Sequence, residues 1–239
     1  VKQKAEEQRE ALERERWLTI QRDKLGKYVP KSVVQEIEKD REQALAETTR
    51  SIECTILFSD IKGFTRFTEE NPAAKMVQML NQYLSAMNDV IDRYNGILDK
   101  FMGDGIMVVF LPEGDDDNHA LRAVQCGIDM QKEVAILDEQ WIEQGLGHLR
   151  IRVGINTGEV ISGSIGASTR MDYTVVGDTV NVASRLESNG VPGTVLLSDT
   201  AYERVGEFLE AEKLEPISVK NRVQPVQVYS IDVLQLANV

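Results

Sequence analysis

Two aspartates 44 residues apart carry the strongest chemical signal in this chain. Asp60 lies in Phe58-Ser59-Asp60-Ile61-Lys62-Gly63-Phe64-Thr65, and Asp104 in Lys100-Phe101-Met102-Gly103-Asp104-Gly105. Each stands where an apolar run gives way to turn residues, so its carboxylate can face solvent while its backbone stays anchored in a sheet. Fixed carboxylates are what hard divalent cations need, and an in-line displacement at phosphorus needs charge stabilised on both the attacking and the leaving oxygen. Taken singly, Asp60 is explained as a turn former and Asp104 as a hairpin residue. The rest of the set changes that weighting. Ile61, Lys62, Gly63, Phe64 and Thr65 read as a turn into a helix start, whose free backbone N–H groups suit a phosphate chain. Asn181 and Arg185 are four apart on one face of a predicted helix. An amide there can orient a ribose and a guanidinium can neutralise a phosphoryl group, although a solvated helix face alone accounts for both.

The elements that must position these residues follow from periodicity. Residues 1 to about 27 are dense in helix formers, with Ala11, Leu18 and Leu25 seven apart, but Arg14 and Gln21 fill the companion row, so a strong coiled coil is not supported. Pro30 ends that helix, Lys31 to Lys39 read as a second one, and Asp40 to Arg50 as a polar connector. Ile52, Cys54, Ile56 and Phe58 alternate with Glu53, Thr55, Leu57 and Ser59, predicting a strand with one strongly buried face that ends at Asp60. A long amphipathic helix is predicted from Asn71-Pro72 through Met76, Leu80, Leu84, Met87 and Ile91 to Asn95-Gly96. Strands are expected at 97–102 and 106–111 around an Asp104-Gly105 hairpin turn. A helix follows over 116–144, then strands at 149–155 and 159–165 bracketing an Asn156-Thr157-Gly158 turn, and a short strand at 172–176. A helix capped by Asp178 or Thr179 runs to Asn189, before short strands and one more helix. The order is α+β, resembling a ferredoxin-like core with a small αβ extension and an N-terminal helical segment, divided as 1–50 and 51–239.

Composition narrows the function classes. Of 239 residues, 42% are hydrophobic and 28% charged, the balance of a globular protein. The net charge of −12 is uneven: residues 1–50 hold 12 Lys and Arg against 11 Asp and Glu, leaving 15 against 28 beyond. So acidic a globular part is a poor nucleic-acid binder, and an anionic ligand must be held by metal ions and a few placed cations. No apolar run approaches a membrane span, and a cytoplasmic location is expected, with a start lacking Met pointing to a fragment of a parent that could be larger and membrane-bound. Cys54 and Cys126 are too few for a disulfide framework or zinc site, and Cys54 in a strand-like run reads as a buried thiol. His119 and His148 lie outside every motif, which disfavours covalent catalysis.

Four ordered stretches carry a resemblance: 58–65, 100–105, Arg152-Val153-Gly154-Ile155-Asn156-Thr157-Gly158, and Tyr173-Thr174 through Gly177-Asp178 to Asn181 and Arg185. Together they resemble a class III nucleotidyl cyclase catalytic domain over roughly residues 50–235. The resemblance implies that Asp60, Asp104 and the Ile61 carbonyl hold two Mg²⁺ or Mn²⁺ ions, that Lys100 and Thr174 read the base, and that Asn181 and Arg185 serve the ribose and the transition state. Gly63, Phe64 and Thr65, in the turn into a helix start after Asp60, are the expected phosphate-facing residues. Lys220, in Ile217-Ser218-Val219-Lys220-Asn221-Arg222, matches a lysine for the terminal phosphates, although Asn221 replaces the usual glycine. Family members act as dimers with sites shared across the interface, and this chain holds the full set, so a homodimer of like chains is expected.

The base-reading pair points to ATP. Adenine offers an acceptor at N1 and a donor at N6, whereas guanine reverses both; Lys100 only donates and a Thr174 hydroxyl can accept. Because a hydroxyl can also donate, Thr174 should reject GTP less absolutely than a carboxylate would. The Lys and Thr combination is similar to that of cyanobacterial, bicarbonate-responsive adenylate cyclases, which implies bicarbonate as an activator without identifying its site; Lys62, Arg152 and Arg170 all read as solvated charges. The expectation is an adenylate cyclase joined to upstream sensory domains. Its rivals are a non-catalytic nucleotide-binding or dimerisation module, a cyclase using GTP, and a polymerase-like nucleotidyltransferase.

Overall fold

The chain divides into two compact units, Val1–Thr48 and Thr49–Val239. The computed structural model describes residues 16–17, 49–114, 117–146, 148–167, 170–219, 222 and 224–233. The expected N-terminal helices and their heptad therefore lie outside the described residues, apart from helical Arg16 and Trp17. Among the described residues no helix is long and apolar enough to cross a membrane.

The central strand β1 (Arg50–Ile61) is flanked by antiparallel neighbours on both sides. After it come the short helix α1 (Phe64–Glu70), the long helix α2 (Ala73–Arg93), and the hairpin of β2 (Ile97–Met102) and β3 (Gly105–Phe110). Helix α3 (His119–Glu143) leads to β4 (Ile151–Ala167), β5 (Arg170–Val176) and α4 (Asp178–Asn189). The remainder is β6 (Thr194–Ser198), α5 (Asp199–Tyr202), β7 (Glu212–Ile217) and β8 (Val226–Asp232). The sheet runs β2-β3-β1-β4-β6-β8-β7, with β5 paired to the far half of β4. Its first four strands, with α2 and α3 as crossovers, form the expected ferredoxin-like core; β6, β7 and β8 are the αβ extension.

Both sides of β1 are buried from Cys54 onward, not one. Leu57 and Ile61 join the core under α2 and α3 with Met79, Met87, Ile106 and Trp141. Cys54, Ile56 and Phe58 pack on the other side with Met107, Val109, Val175 of β5 and Ala183 of α4. Thr55 tolerates burial because its hydroxyl bonds Thr157 Oγ1 at 2.7 Å and His119 Nδ1 at 2.8 Å, and Ser59 because it meets Tyr83 Oη at 3.1 Å. Polar residues with partners inside the protein escape the desolvation penalty that the alternation rule assumes.

The Asn156-Thr157-Gly158 turn does not exist. Residues 151–167 form one continuous strand, in register with β1 from Ile61↔Ile151 to Arg50↔Ser162. Its glycines serve helix packing instead. A Cβ at Gly154 would stand 2.1 Å from the Glu187 backbone nitrogen, and one at Gly158 would stand 2.8 Å from Thr179 Oγ1. They let α4 lie directly on the strand, where the Asn156 amide donates to the Thr179 carbonyl at 2.9 Å. Two helix starts also shift. Helix α3 starts after Asn118, whose side chain accepts from Leu121 N, whereas α2 starts after Pro72 as expected, behind the separate helix α1. Helix α4 is capped by Gly177, which has no side chain to bond, and Thr179 Oγ1, inside the helix, donates to the Glu159 carbonyl at 2.7 Å.

Candidate active site

Asp60 is the penultimate residue of β1, and Asp104 sits in the turn of the neighbouring β2–β3 hairpin. Since Met102 pairs with Gly105, the two turn residues are Gly103 and Asp104 rather than Asp104 and Gly105. Gly103 takes the left-handed conformation this needs, at φ 69°. The Asp104 carboxylate lies against Asp60, beside the backbone N–H groups of Asp104 itself and of Ile61. Burial first, and the Asp60 charge second, push its pKa up to about 6. Beneath the pair, burial also raises the Tyr83 phenol above its ordinary range.

Arg152 is the cation that sequence reasoning missed. It is no solvated charge: its side chain is 14% exposed, and the β1–β4 register sets it directly opposite Asp60. Its Nη2 donates to Asp60 Oδ2 at 2.6 Å and lies 2.8 Å from Glu187 Oε1 on α4. The second contact is charge without alignment, for Arg152 Nε and Glu187 Oε1 are both buried without a hydrogen-bond partner among the described residues. Burial pushes the Glu187 carboxyl up, and Arg152 pulls it back. Asp60 and Glu187 thus share one guanidinium, while Asp104 lies against Asp60 with no ion-pair partner of its own among the described residues.

That surplus fits divalent cations. No group of three or more His, Cys, Asp or Glu that could hold a metal unaided occurs among the described residues. Two carboxylates with a neighbouring backbone carbonyl are all-oxygen donors, and Mg²⁺ usually takes one or two protein carboxylates and completes its shell from water and substrate phosphates. Gly63, at φ 79°, turns the chain from Ile61 into α1. Phe64 stacks on Phe67 at 6.2 Å between ring centroids, while Thr65 is exposed in the first turn.

Lys100 and Thr174 come together through a residue that sequence reasoning passed over. β2 is bulged: Leu98 faces Val108 and Lys100 faces Met107, leaving Asp99 as the extra residue. The bulge breaks the two-residue alternation, so adjacent side chains can work on one side. Thr174 Oγ1 donates to Asp99 Oδ2 at 2.8 Å, and Lys100 Nζ lies 3.3 Å from the same oxygen. Burial raises the Asp99 carboxyl, with the Thr174 bond and the Lys100 charge opposing.

Helix α4 buries Thr179, Val182, Ala183, Leu186 and Glu187, which leaves Asn181 and Arg185 on its exposed face. Arg185 has no ion-pair partner among the described residues. Neither Asn181 nor Arg185 is bonded to Asp60 or Asp104 within the chain, and Lys100 and Thr174 form a third, separate group. Lys220 lies outside the described residues.

A ferredoxin-like sheet with paired carboxylates at a strand end and an adjoining hairpin turn is the arrangement that the resemblance to class III nucleotidyl cyclase domains implies. Residues 46–232 match the family described as adenylate and guanylate cyclase catalytic domain, and the chain belongs to that family. It is 32% identical to adenylate cyclase 1 of Rhizobium meliloti (strain 1021) over 85% of this chain and 31% of that protein. It is 35% identical to the adenylate cyclase of Anabaena cylindrica over 69% of this chain and 33% of that one. The chain thus spans about a third of the length of these curated relatives. Among solved structures, the adenylyl cyclase CyaB from P. aeruginosa superposes with a TM-score of 0.74 at 41% identity, covering 77% of this chain and 95% of that one. The guanylyl cyclase Cya2 does so at 0.71 and 38%, covering 77% and 92%. Family and fold agree with the expectation; overall similarity does not separate the two bases.

Proposed function

We propose that this domain converts ATP to 3′,5′-cyclic AMP and pyrophosphate, at sites formed between two copies of the chain. One observation carries the choice of base: an ammonium and a hydroxyl 74 residues apart in sequence are gathered on a single carboxylate oxygen, at 3.3 and 2.8 Å. A donor from Lys100 meets adenine N1 and an acceptor from Thr174 meets its amino group, whereas guanine would present the opposite to each.

The separation of the three residue groups supports sharing between copies. Asp60, Asp104 and the Ile61 carbonyl of one copy would hold two divalent cations, which when bound supply charge stabilisation for the attacking and leaving oxygens. Gly63, Phe64 and Thr65 open a helix whose N–H groups suit the phosphates. Lys100, Thr174, Asn181 and Arg185 come from the other copy, with Lys220 as a further phosphate ligand. Asn181 orients the ribose so that its 3′ oxygen is in line with the α-phosphorus, and Arg185 neutralises charge developing there. The P–O bond to pyrophosphate breaks as the new one forms, and the hydroxyl proton leaves to solvent. No histidine serves the reaction: His119 is 2% exposed behind Thr55, and His148 pairs with Asp138 at 3.0 Å. Exposed Phe101, Met102, Ile161, Met171 and Val176 on β2, β4 and β5 supply apolar surface suited to a second copy.

Mass-spectrometric product analysis with ATP or GTP, and Mg²⁺ or Mn²⁺, tests the reading. Cyclic AMP as the dominant product is expected. Lys100→Glu with Thr174→Cys inverts the donor and acceptor pattern and should move the ratio of kcat/KM toward GTP even if total activity falls. An unchanged ratio in an active variant would remove both residues from base recognition.

A further inference from the structure

A hydroxyl is an ambiguous reader of purines. Its single proton lets it donate to the guanine carbonyl as well as accept from the adenine amino group. Thr174 on its own therefore discriminates poorly. In this chain, however, the hydroxyl is not free to choose: it is 7% exposed and its proton is directed at Asp99 Oδ2, 2.8 Å away. The Asp99 side chain is itself only 6% exposed, so water does not compete for that oxygen as it would at a surface. An ionised carboxylate only accepts; burial raises the Asp99 carboxyl, and the Thr174 bond and the Lys100 charge at 3.3 Å oppose that rise.

We propose that Asp99 is a specificity-determining positioning residue: by taking the only proton of the Thr174 hydroxyl, it makes Thr174 face the nucleobase as an acceptor alone. This deepens, and rests on, the reading of Lys100 and Thr174 as the base-reading pair. The same oxygen anchors Lys100, whose three N–H donors leave two for the base when one is directed at Asp99. Both readers are thereby held in the pattern complementary to adenine: a donor toward N1, an acceptor toward N6. With guanine, the lone pairs of Thr174 would oppose O6 and the Lys100 ammonium would oppose N1–H. Only the bulge in β2 makes this possible, since regular alternation would place Asp99 and Lys100 on opposite faces.

The test is the ratio of kcat/KM for ATP over GTP in wild type, Asp99→Asn, Asp99→Ala and Asp99→Glu, with the fold followed by circular dichroism. The amide can donate to Thr174 and the alanine leaves its proton free, so each should lower the ratio by about tenfold, the scale of one neutral hydrogen bond reversed. Asp99→Glu keeps an acceptor and should retain more of the preference. Asp99→Ala serves should the amide fail to fold. In a Thr174→Val background there is no hydroxyl to orient, so Asp99→Asn should leave the ratio where Thr174→Val sets it. A wild type that favours ATP and folded Asp99 variants with the same ratio would overturn the proposal while leaving the base-reading pair intact. A drop that persists in the Thr174→Val background would overturn it too, assigning the effect to Lys100. A wild type without preference for ATP would overturn the base-reading assignment, and this proposal with it.

Discussion

The carboxylate end and the base-reading group are both built around buried or half-buried aspartates, yet their charge balance is opposite. At the first, Asp60 and Glu187 share the guanidinium of Arg152, Asp104 lies against Asp60 with no ion-pair partner among the described residues, and two polar atoms of the network lack hydrogen bonds. At the second, one carboxylate meets one ammonium and one hydroxyl. One region is electrostatically incomplete until cations arrive; the other is satisfied before any ligand binds. A site that must recruit metal stores unbalanced charge, whereas a site that must discriminate two similar bases fixes its donors and acceptors in advance.

Removing a carboxylate from the incomplete region should give the largest effect. Asp60→Ala and Asp104→Ala should each lose about a hundred- to a thousandfold in turnover, the order reached when a fixed electrostatic contact to the transition state is deleted. Folding should survive, because both residues lie at an element end rather than in a core cluster. Near wild-type turnover at matched Mg²⁺ would show that these carboxylates hold no catalytic ion. Mixing tests whether the two regions act in different copies. Asp60→Ala and Arg185→Ala homodimers should each be nearly inactive. In a mixed dimer one site carries both lesions and the other is intact, so random exchange should return about a quarter of wild-type activity. Exchange proven by differential tags, without recovered activity, would place each complete site inside one chain.

Arg152 probes the imbalance itself. Arg152→Ala leaves Glu187 and Asp60 without their cation in a largely buried setting, and should cost about 3 kcal/mol of stability in metal-free buffer. A second change, Glu187→Gln, should recover part of that loss, since a neutral amide has a smaller desolvation penalty. Denaturant midpoints for the four proteins of this cycle decide the point; an Arg152→Ala domain as stable as wild type would mean that the network contributes nothing.

What was legible in the sequence separates along the same line. Asp60 and Asp104 could be found because each is marked locally, by an apolar run ending in turn residues, and α2 because its period spans 21 residues. Arg152 could not, for its partner is 92 residues away and only the β1–β4 register reveals that the two side chains share a face. Asp99 was hidden by the bulge, which local alternation does not announce. Gly154 and Gly158 misled for a related reason: a glycine admitting a helix backbone and a glycine making a turn look the same until the helix is placed. Long-range register, then, was the missing quantity at both ends of the site.

The smallest expected effect separates the two regions by pH. The Asp104 carboxyl has an ordinary value of 3.8 and is pushed up to about 6 in the folded domain. The folded state therefore binds its proton more tightly than the unfolded chain, so the contribution of this group is fully present below about pH 4 and is lost as pH rises through about 6. Partial exposure screens the effect, leaving about 1 kcal/mol, or a shift of a few degrees in Tm for a domain of this size. A divalent ion relieves the same repulsion. Mg²⁺ should thus raise Tm more at about pH 7.5 than at about pH 5, where the proton already occupies the site. In Asp104→Asn that dependence of the Mg²⁺ shift on pH should shrink, because the titrating group is gone while Asp60 still carries its charge. Equal Mg²⁺ shifts at the two pH values in the wild-type domain would show that the carboxylate end is not short of positive charge, and the contrast with the base-reading group would fall with it.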